Sequence, residues 1–112
     1  MKKPIIQYAD FQKLDIRVGE IISAEKLENS KNLLKLLVNF GADYGNVEIL
    51  SGLVQYYSPK SLQGNKYVFL VNLEPRKLMG TFSNGMILVV NDTKKPILFK
   101  VKKSLQNGTA IA

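Results

Sequence analysis

Apolar and polar positions along this 112-residue chain fall into short alternating blocks separated by turn residues. That spacing predicts many short strands and few helices. Tyr8, Phe11 and Leu14 recur three apart, which predicts a short amphipathic helix or turn ahead of the first strand. Ile16 to Ala24 then reads as a strand whose alternation slips at Gly19, between Arg17 and Glu20. A glycine inside a strand points to a bulge that bends it, as a small closed barrel requires. Leu33 to Phe40 predicts a second strand, ended by the turn-rich Gly41-Ala42-Asp43-Tyr44-Gly45-Asn46, and Val47 to Leu50 a third.

Ser58-Pro59 places a capping hydroxyl before a proline at the first helical position, so a short helix starts there and stops by Gly64. Tyr67 to Val71 is a continuous apolar run of strand length, which predicts burial on both faces, and Met86 to Val90 is another such strand. Pro96 to Lys102 alternates, with Ile97, Phe99 and Val101 on one side and Leu98, Lys100 and Lys102 on the other, as in a half-buried or edge strand. The order predicts an all-β fold: a five-stranded oligonucleotide-binding barrel, with the short helix between strands three and four. An N-terminal helical turn and C-terminal strands lie outside that barrel. An SH3-like barrel competes, and the helix between strands counts against it.

Length places residues 1–112 in one domain. The chain has no cysteine and no histidine, which removes disulfides, thiolate metal sites and the commonest general base. Asp15, Glu20 and Glu25 near the first strand form no acid–base or metal constellation, and no glycine-rich phosphate loop is present. The reading is therefore a non-enzyme without a cofactor. Charged residues return at Asp10, Lys13, Asp15 and Arg17, so the N-terminus lacks the apolar core of a signal peptide. No stretch approaches the roughly 20 apolar residues of a spanning helix, and the expectation is a soluble cytoplasmic protein without membrane contact.

The net charge of +7 is one-sided. Residues 1–50 hold seven basic and seven acidic groups, whereas residues 51–112 hold nine basic groups against Glu74 and Asp92. A one-sided positive field attracts a polyanion through counterion release. A lysine-rich solubilising surface is the other reading, since 14 of the 16 basic residues are Lys. The segment Asn72 to Met86 joins two buried strands yet is polar and rich in breakers. Arg76 and Lys77 follow Pro75 there, a planar fork and a mobile point charge suited to phosphate. Ser83 and Asn84 add hydrogen-bonding groups, and Met86 an adaptable apolar surface. A plain surface loop with a core methionine would look the same. Arg17 points away from Ile16 and Val18, either to solvent or onto the groove face of the barrel, and Lys31 and Lys35 flank the first hairpin. No aromatic pair stands at base-stacking spacing. Tyr56 and Tyr57 diverge if extended, with one of them in the core, so recognition by backbone and shape is preferred over stacking.

Several segments form a pattern together. Asp15-Ile16-Arg17-Val18-Gly19-Glu20-Ile21 is followed by Ala24-Glu25, Leu33-Leu34-Lys35-Leu36, and Ile49-Leu50-Ser51-Gly52-Leu53. Tyr57 to Gly64, Val71-Asn72-Leu73-Glu74-Pro75-Arg76-Lys77-Leu78-Met79-Gly80 and Ser83-Asn84-Gly85-Met86 continue it. In this order the segments resemble the tRNA-binding domain family, from about Tyr8 to the C-terminus. Closest in kind are free-standing dimeric tRNA-binding proteins and the C-terminal dimerisation module of bacterial methionyl-tRNA synthetases. Cytokine-like domains of eukaryotic synthetase complexes and an export-chaperone-like branch are more distant. Ser30-Lys31-Asn32 and Tyr56-Tyr57 depart from the family pattern, and the first softens any role for Lys31.

The resemblance implies binding of tRNA by shape, as a homodimer, with an aminoacyl-tRNA synthetase as a further candidate partner. Carried over by position, Arg17, Lys35, Asn72, Arg76, Lys77, Ser83 and Met86 are the tRNA-binding candidates. The implied dimer interface uses the N-terminal segment and the C-terminal strands, here Tyr8, Phe11 and Leu14 with Ile97, Phe99 and Val101. Those two apolar faces lie outside the five barrel strands, so each must fold back or meet a partner subunit. Two alternatives stay open: a peptide-binding chaperone-like protein on the same barrel, and a dimerisation module of a methionyl-tRNA synthetase.

Overall fold

Strand β1 (Ile16–Lys26) runs the height of the fold and pairs along both of its edges. The computed structural model describes residues 1–112. Before β1 lies α1 (Tyr8–Gln12), and after it come β2 (Leu34–Asn39), β3 (Asn46–Ser51), α2 (Pro59–Leu62), β4 (Lys66–Leu70), β5 (Arg76–Leu78), β6 (Thr81–Ser83), β7 (Met86–Ile87), β8 (Val89–Asn91), β9 (Pro96–Leu98) and β10 (Ala110–Ile111). The main sheet is antiparallel in the order β3-β2-β1-β4-β7, with β10 beside the start of β1. The Asn84 amide donates to the Glu48 carbonyl at 3.0 Å, so the chain entering β7 meets β3 and nearly closes the sheet. This is the expected five-stranded barrel, with α2 between β3 and β4.

The alternation of β2 shows why closure is favourable. Leu34, Leu36 and Val38 are fully buried, while Lys35, Leu37 and Asn39 between them face outward and are half-buried. The inward residues join Ile21, Phe40, Ile49, Leu53, Leu62, Phe69 and Ile87 in one core cluster. Each buried side chain of this kind contributes roughly 1.5–3 kcal/mol. The run from Tyr67 to Val71 is buried throughout, as its unbroken apolar sequence predicts. Ser58 caps α2, with its hydroxyl accepting from the Ser61 amide at 3.3 Å, and Pro59 takes the first helical position.

Four expectations are corrected. The bulge of β1 is not at Gly19. Ile21 pairs with Val38 and Ser23 with Leu37, which leaves Ile22 as the extra residue. Gly19 has a different reason: a Cβ there would sit 2.5 Å from Val38 Cγ1 and 2.6 Å from Phe40 Cε1. The strand expected over Met86–Val90 divides at Leu88, because β7 pairs with β4 and β8 turns away to pair with β9. The polar segment between Asn72 and Met86 is not a loop throughout, since it folds into the β5–β6 hairpin. The strand expected over Pro96–Lys102 ends at Leu98. Beyond it, Val101 makes a single bridge to Lys66, and Leu98 packs on the core while Ile97 and Phe99 are exposed.

Candidate nucleic-acid interface

The β5–β6 hairpin is an exposed feature whose two cations enter no ion pair. Its turn, Met79-Gly80, has φ of 51° and 80° at the two central residues, the pairing needed by a tight turn matched to strand twist. Register follows from the turn: Leu78 faces Thr81, Lys77 faces Phe82, and Arg76 faces Ser83. Directly opposed residues share a face, so the hairpin has two sides. On one, Arg76 is exposed, Leu78 and Thr81 are half-buried and Ser83 is buried at 6% exposure. The Ser83 hydroxyl accepts from the Leu50 amide at 2.9 Å and donates to the Gly85 carbonyl at 3.2 Å. The other side presents Lys77 and Phe82, with Phe82 54% exposed. At the tip, Asn29 Nδ2 donates to the Met79 carbonyl at 3.3 Å, tying the hairpin to the β1–β2 loop.

Arg76 and Lys77 are both exposed, and neither belongs to an ion pair. Lys35 reaches the same rim, since it pairs with Leu50 across β2 and β3, and Leu50 is bonded to Ser83. Its charge is offset, however. Lys35 Nζ lies 2.8 Å from Glu48 and 3.9 Å from Glu25, and the hydrogen bond it donates to Glu48 raises its pKa. The outer face of β1, β2 and β3 therefore answers Lys35 with two carboxylates, whereas the hairpin carries uncompensated cations.

Arg17 sits elsewhere, eight positions along β1 from the Glu25 that opposes Lys35. Its guanidinium contacts Asp15 at 2.6 Å and Asp43 at 3.0 Å, donates to the Gly108 carbonyl at 3.1 Å, and lies 5.5 Å from the Tyr44 ring centroid. The Asp15 and Asp43 hydrogen bonds raise its pKa further above the ordinary arginine value. In turn the Arg17 hydrogen bond holds the Asp15 carboxyl below its ordinary range, against an opposing push from burial, and the Tyr44 hydroxyl helps. Asn72 belongs to the same end, accepting from the Asp15 amide at 2.9 Å and donating to the Lys13 carbonyl at 2.7 Å. Met86, in β7 opposite Leu70, is exposed. The structure thus connects Lys35 to the β5–β6 hairpin of Arg76, Lys77 and Ser83 through Leu50, and separates Arg17 and Asn72 into a network of their own. Sequence reading passed over Phe82 and Asn29. The signal for Phe82 was its place opposite Lys77 across the Met79-Gly80 turn, visible only once the hairpin is recognised.

A second surface is apolar. No residue of α1 is buried; Tyr8, Phe11 and Leu14 are exposed, as are Ile5 and Ile6 before them. Ile97 and Phe99 are exposed and Val101 is half-buried, with Val90 and Ile111 also exposed. A pocket of about 210 Å³ is lined by Phe40, Ala42, Asp43 and Gln106 to Thr109, none of them a binding candidate. No helix is long and apolar enough to cross a membrane, and no three carboxylates gather to hold a metal.

The family model "Putative tRNA binding domain" matches residues 16–110. Methionine–tRNA ligase of Archaeoglobus fulgidus is 41% identical over 98% of this chain, and that of Clostridium acetobutylicum 40% identical over 97%. The chain spans only 16% and 17% of those two proteins. Among solved structures, a MetRS related protein from Pyrococcus horikoshii has a TM-score of 0.91 at 31% identity, covering 98% of this chain and 100% of that one. Chaperone CsaA from Bacillus anthracis follows with a TM-score of 0.84 at 27% identity, covering 97% and 100%. The chain belongs to the tRNA-binding domain family.

Proposed function

We propose that this protein is a non-catalytic tRNA-binding module that acts as a homodimer in the cytoplasm and holds tRNA by phosphate contacts and shape. The observation that carries this reading is the β5–β6 hairpin, where Arg76 and Lys77 stand exposed without an ion-pair partner. Arginine suits bidentate phosphate contact and lysine a point-charge contact, and neither must first leave a carboxylate. Lys35 and Met86 border that surface, whereas Arg17, Asn72 and Ser83 act indirectly, by fixing the barrel that presents it. The uncovered apolar faces around Tyr8, Phe11 and Leu14 and around Ile97, Phe99 and Val101 support a two-fold dimer, which would also double the cationic surface offered to one large ligand. A synthetase is a further candidate partner, since the ligases that resemble this chain carry such a module within a longer protein.

A titration with labelled mixed tRNA tests the reading. Binding at low salt that unlabelled tRNA reverses more efficiently than duplex DNA supports it, and no binding at low salt ends it. A second reading, a peptide-binding chaperone, draws on the likeness to chaperone CsaA and on the exposed Phe82, Met79 and Met86. It predicts capture of unfolded segments with little loss in salt.

A further inference from the structure

We infer that Phe82 is a stacking platform for an unpaired base of the bound RNA, so that the hairpin grips a nucleotide by its base and its phosphate together. This rests on the tRNA-binding reading above and adds a contact to it. Phe82 is the most exposed of the aromatic side chains that follow α1, at 54%. It has no aromatic partner, since the ring contacts within the chain join Tyr8 to Phe11, and Phe40 to Tyr44 and to Phe69. Its cross-strand neighbour is Lys77, on the same face of the hairpin, while Arg76 faces Ser83 on the other. Opposed side chains in an antiparallel pair stand roughly 5 Å apart at Cβ. One nucleotide can therefore lay its base on the ring while its phosphate meets the cation.

The rest of the hairpin agrees with that role. Its inner side is anchored through Ser83 and its tip through Asn29, so the ring rides on an element held at both ends. Met79 holds φ of 51° at the turn and is 50% exposed, which leaves a thioether open at the hairpin tip. Polarizable sulfur offers adaptable contact to flat rings. A cation next to an exposed ring favours an anionic ligand with a π-face, which is the chemistry of a single-stranded nucleotide. A duplex hides its base faces, so the platform selects loops, bulges and ends.

The test compares Phe82→Ala, Phe82→Leu and Phe82→Tyr with the unaltered chain, using mixed tRNA and a fully paired RNA duplex as probes, with melting temperature as the fold control. Stacking predicts that Phe82→Ala and Phe82→Leu weaken tRNA binding about tenfold or more, with the salt slope unchanged, and that Phe82→Tyr restores it. Duplex binding should not respond to any of the three. The chain has no tryptophan, so Phe82→Trp adds a lone indole whose emission tRNA should quench. Wild-type affinity in Phe82→Leu, or unquenched emission at saturating tRNA, overturns the inference while leaving the tRNA reading intact. Loss of unfolded-peptide capture in Phe82→Ala with unchanged tRNA affinity also overturns it, in favour of a peptide-facing ring. Absence of any tRNA binding in the unaltered chain is the separate failure of the parent reading.

Discussion

The Leu50 amide donates to the Ser83 hydroxyl at 2.9 Å, and through this bond the β5–β6 hairpin is fastened to β3. Both residues are buried, so the amide has no ready replacement partner. Ser83→Ala should cost about 1–3 kcal/mol, the penalty of a buried donor left unsatisfied. Denaturant unfolding measures the loss, and amide exchange should show it first in the hairpin. Because Ser83 faces inward, the salt slope of tRNA binding by the folded variant should not change.

Gly19 is constrained by packing. A methyl group there would meet Val38 and the Phe40 ring, neither of which is the free end of a flexible side chain. Gly19→Ala should destabilise the chain by about 1–3 kcal/mol, the usual cost of overpacking, read as a lower denaturant midpoint with an unchanged slope.

Asp15 gives the stability an acid limb. Its carboxyl lies below the ordinary 3.8 in the folded chain, first through the Arg17 hydrogen bond. A depressed carboxyl contributes in full above the unfolded value of about 3.9 and loses that contribution as pH falls through the folded value. Stability should therefore fall more steeply below about pH 4 in the unaltered chain than in Asp15→Asn. The hydrogen bond that Tyr44 donates to Asp15 raises the Tyr44 hydroxyl above 10.0, so its share is present at neutral pH and disappears only as alkaline pH passes that raised value. Thermal melts across both ranges check the two limbs.

Much of this was legible in the sequence, and the parts that were not share a cause. Local signals held: the Ser58-Pro59 helix start, the buried run from Tyr67, and the alternation of β2. Of Tyr56 and Tyr57, the second packs on the core and donates to the Pro96 carbonyl, as a pair pointing apart would suggest. What failed depended on distant partners. Gly19 reads as the site of a bulge, which instead falls at Ile22; what requires a glycine at 19 is the packing of Val38 and the Phe40 ring on the neighbouring strand. The Arg17 network also reaches beyond local sequence: besides Asp15 two residues away, it includes Asp43, 26 positions on, and the Gly108 carbonyl, which no local pattern announces. The hairpin was hidden because Met79 is an unexpected residue for a turn with positive φ, where Asn-Gly or Asp-Gly is the usual signal.

The apolar faces predict an association state. Phe99 is 45% exposed, so Phe99→Asp should leave the barrel folded while removing apolar area from any contact between two chains. Sedimentation should report two chains for the unaltered protein and a shift toward one for Phe99→Asp or for Phe11→Asp. A single chain in every case would remove the dimer from the proposal without touching the hairpin.

The central claim is that phosphate contacts through Arg76 and Lys77 hold the RNA, and the salt dependence of tRNA affinity tests it. Affinity should be measured across a salt series for the unaltered chain and for Arg76→Ala/Lys77→Ala. Each lost phosphate contact lowers the slope of log affinity against log salt by about 1, so the double variant should bind more weakly and with a slope shallower by roughly 2. Equal affinity and equal slope in the two proteins would contradict the claim and place the RNA, if it binds at all, on another face of the barrel.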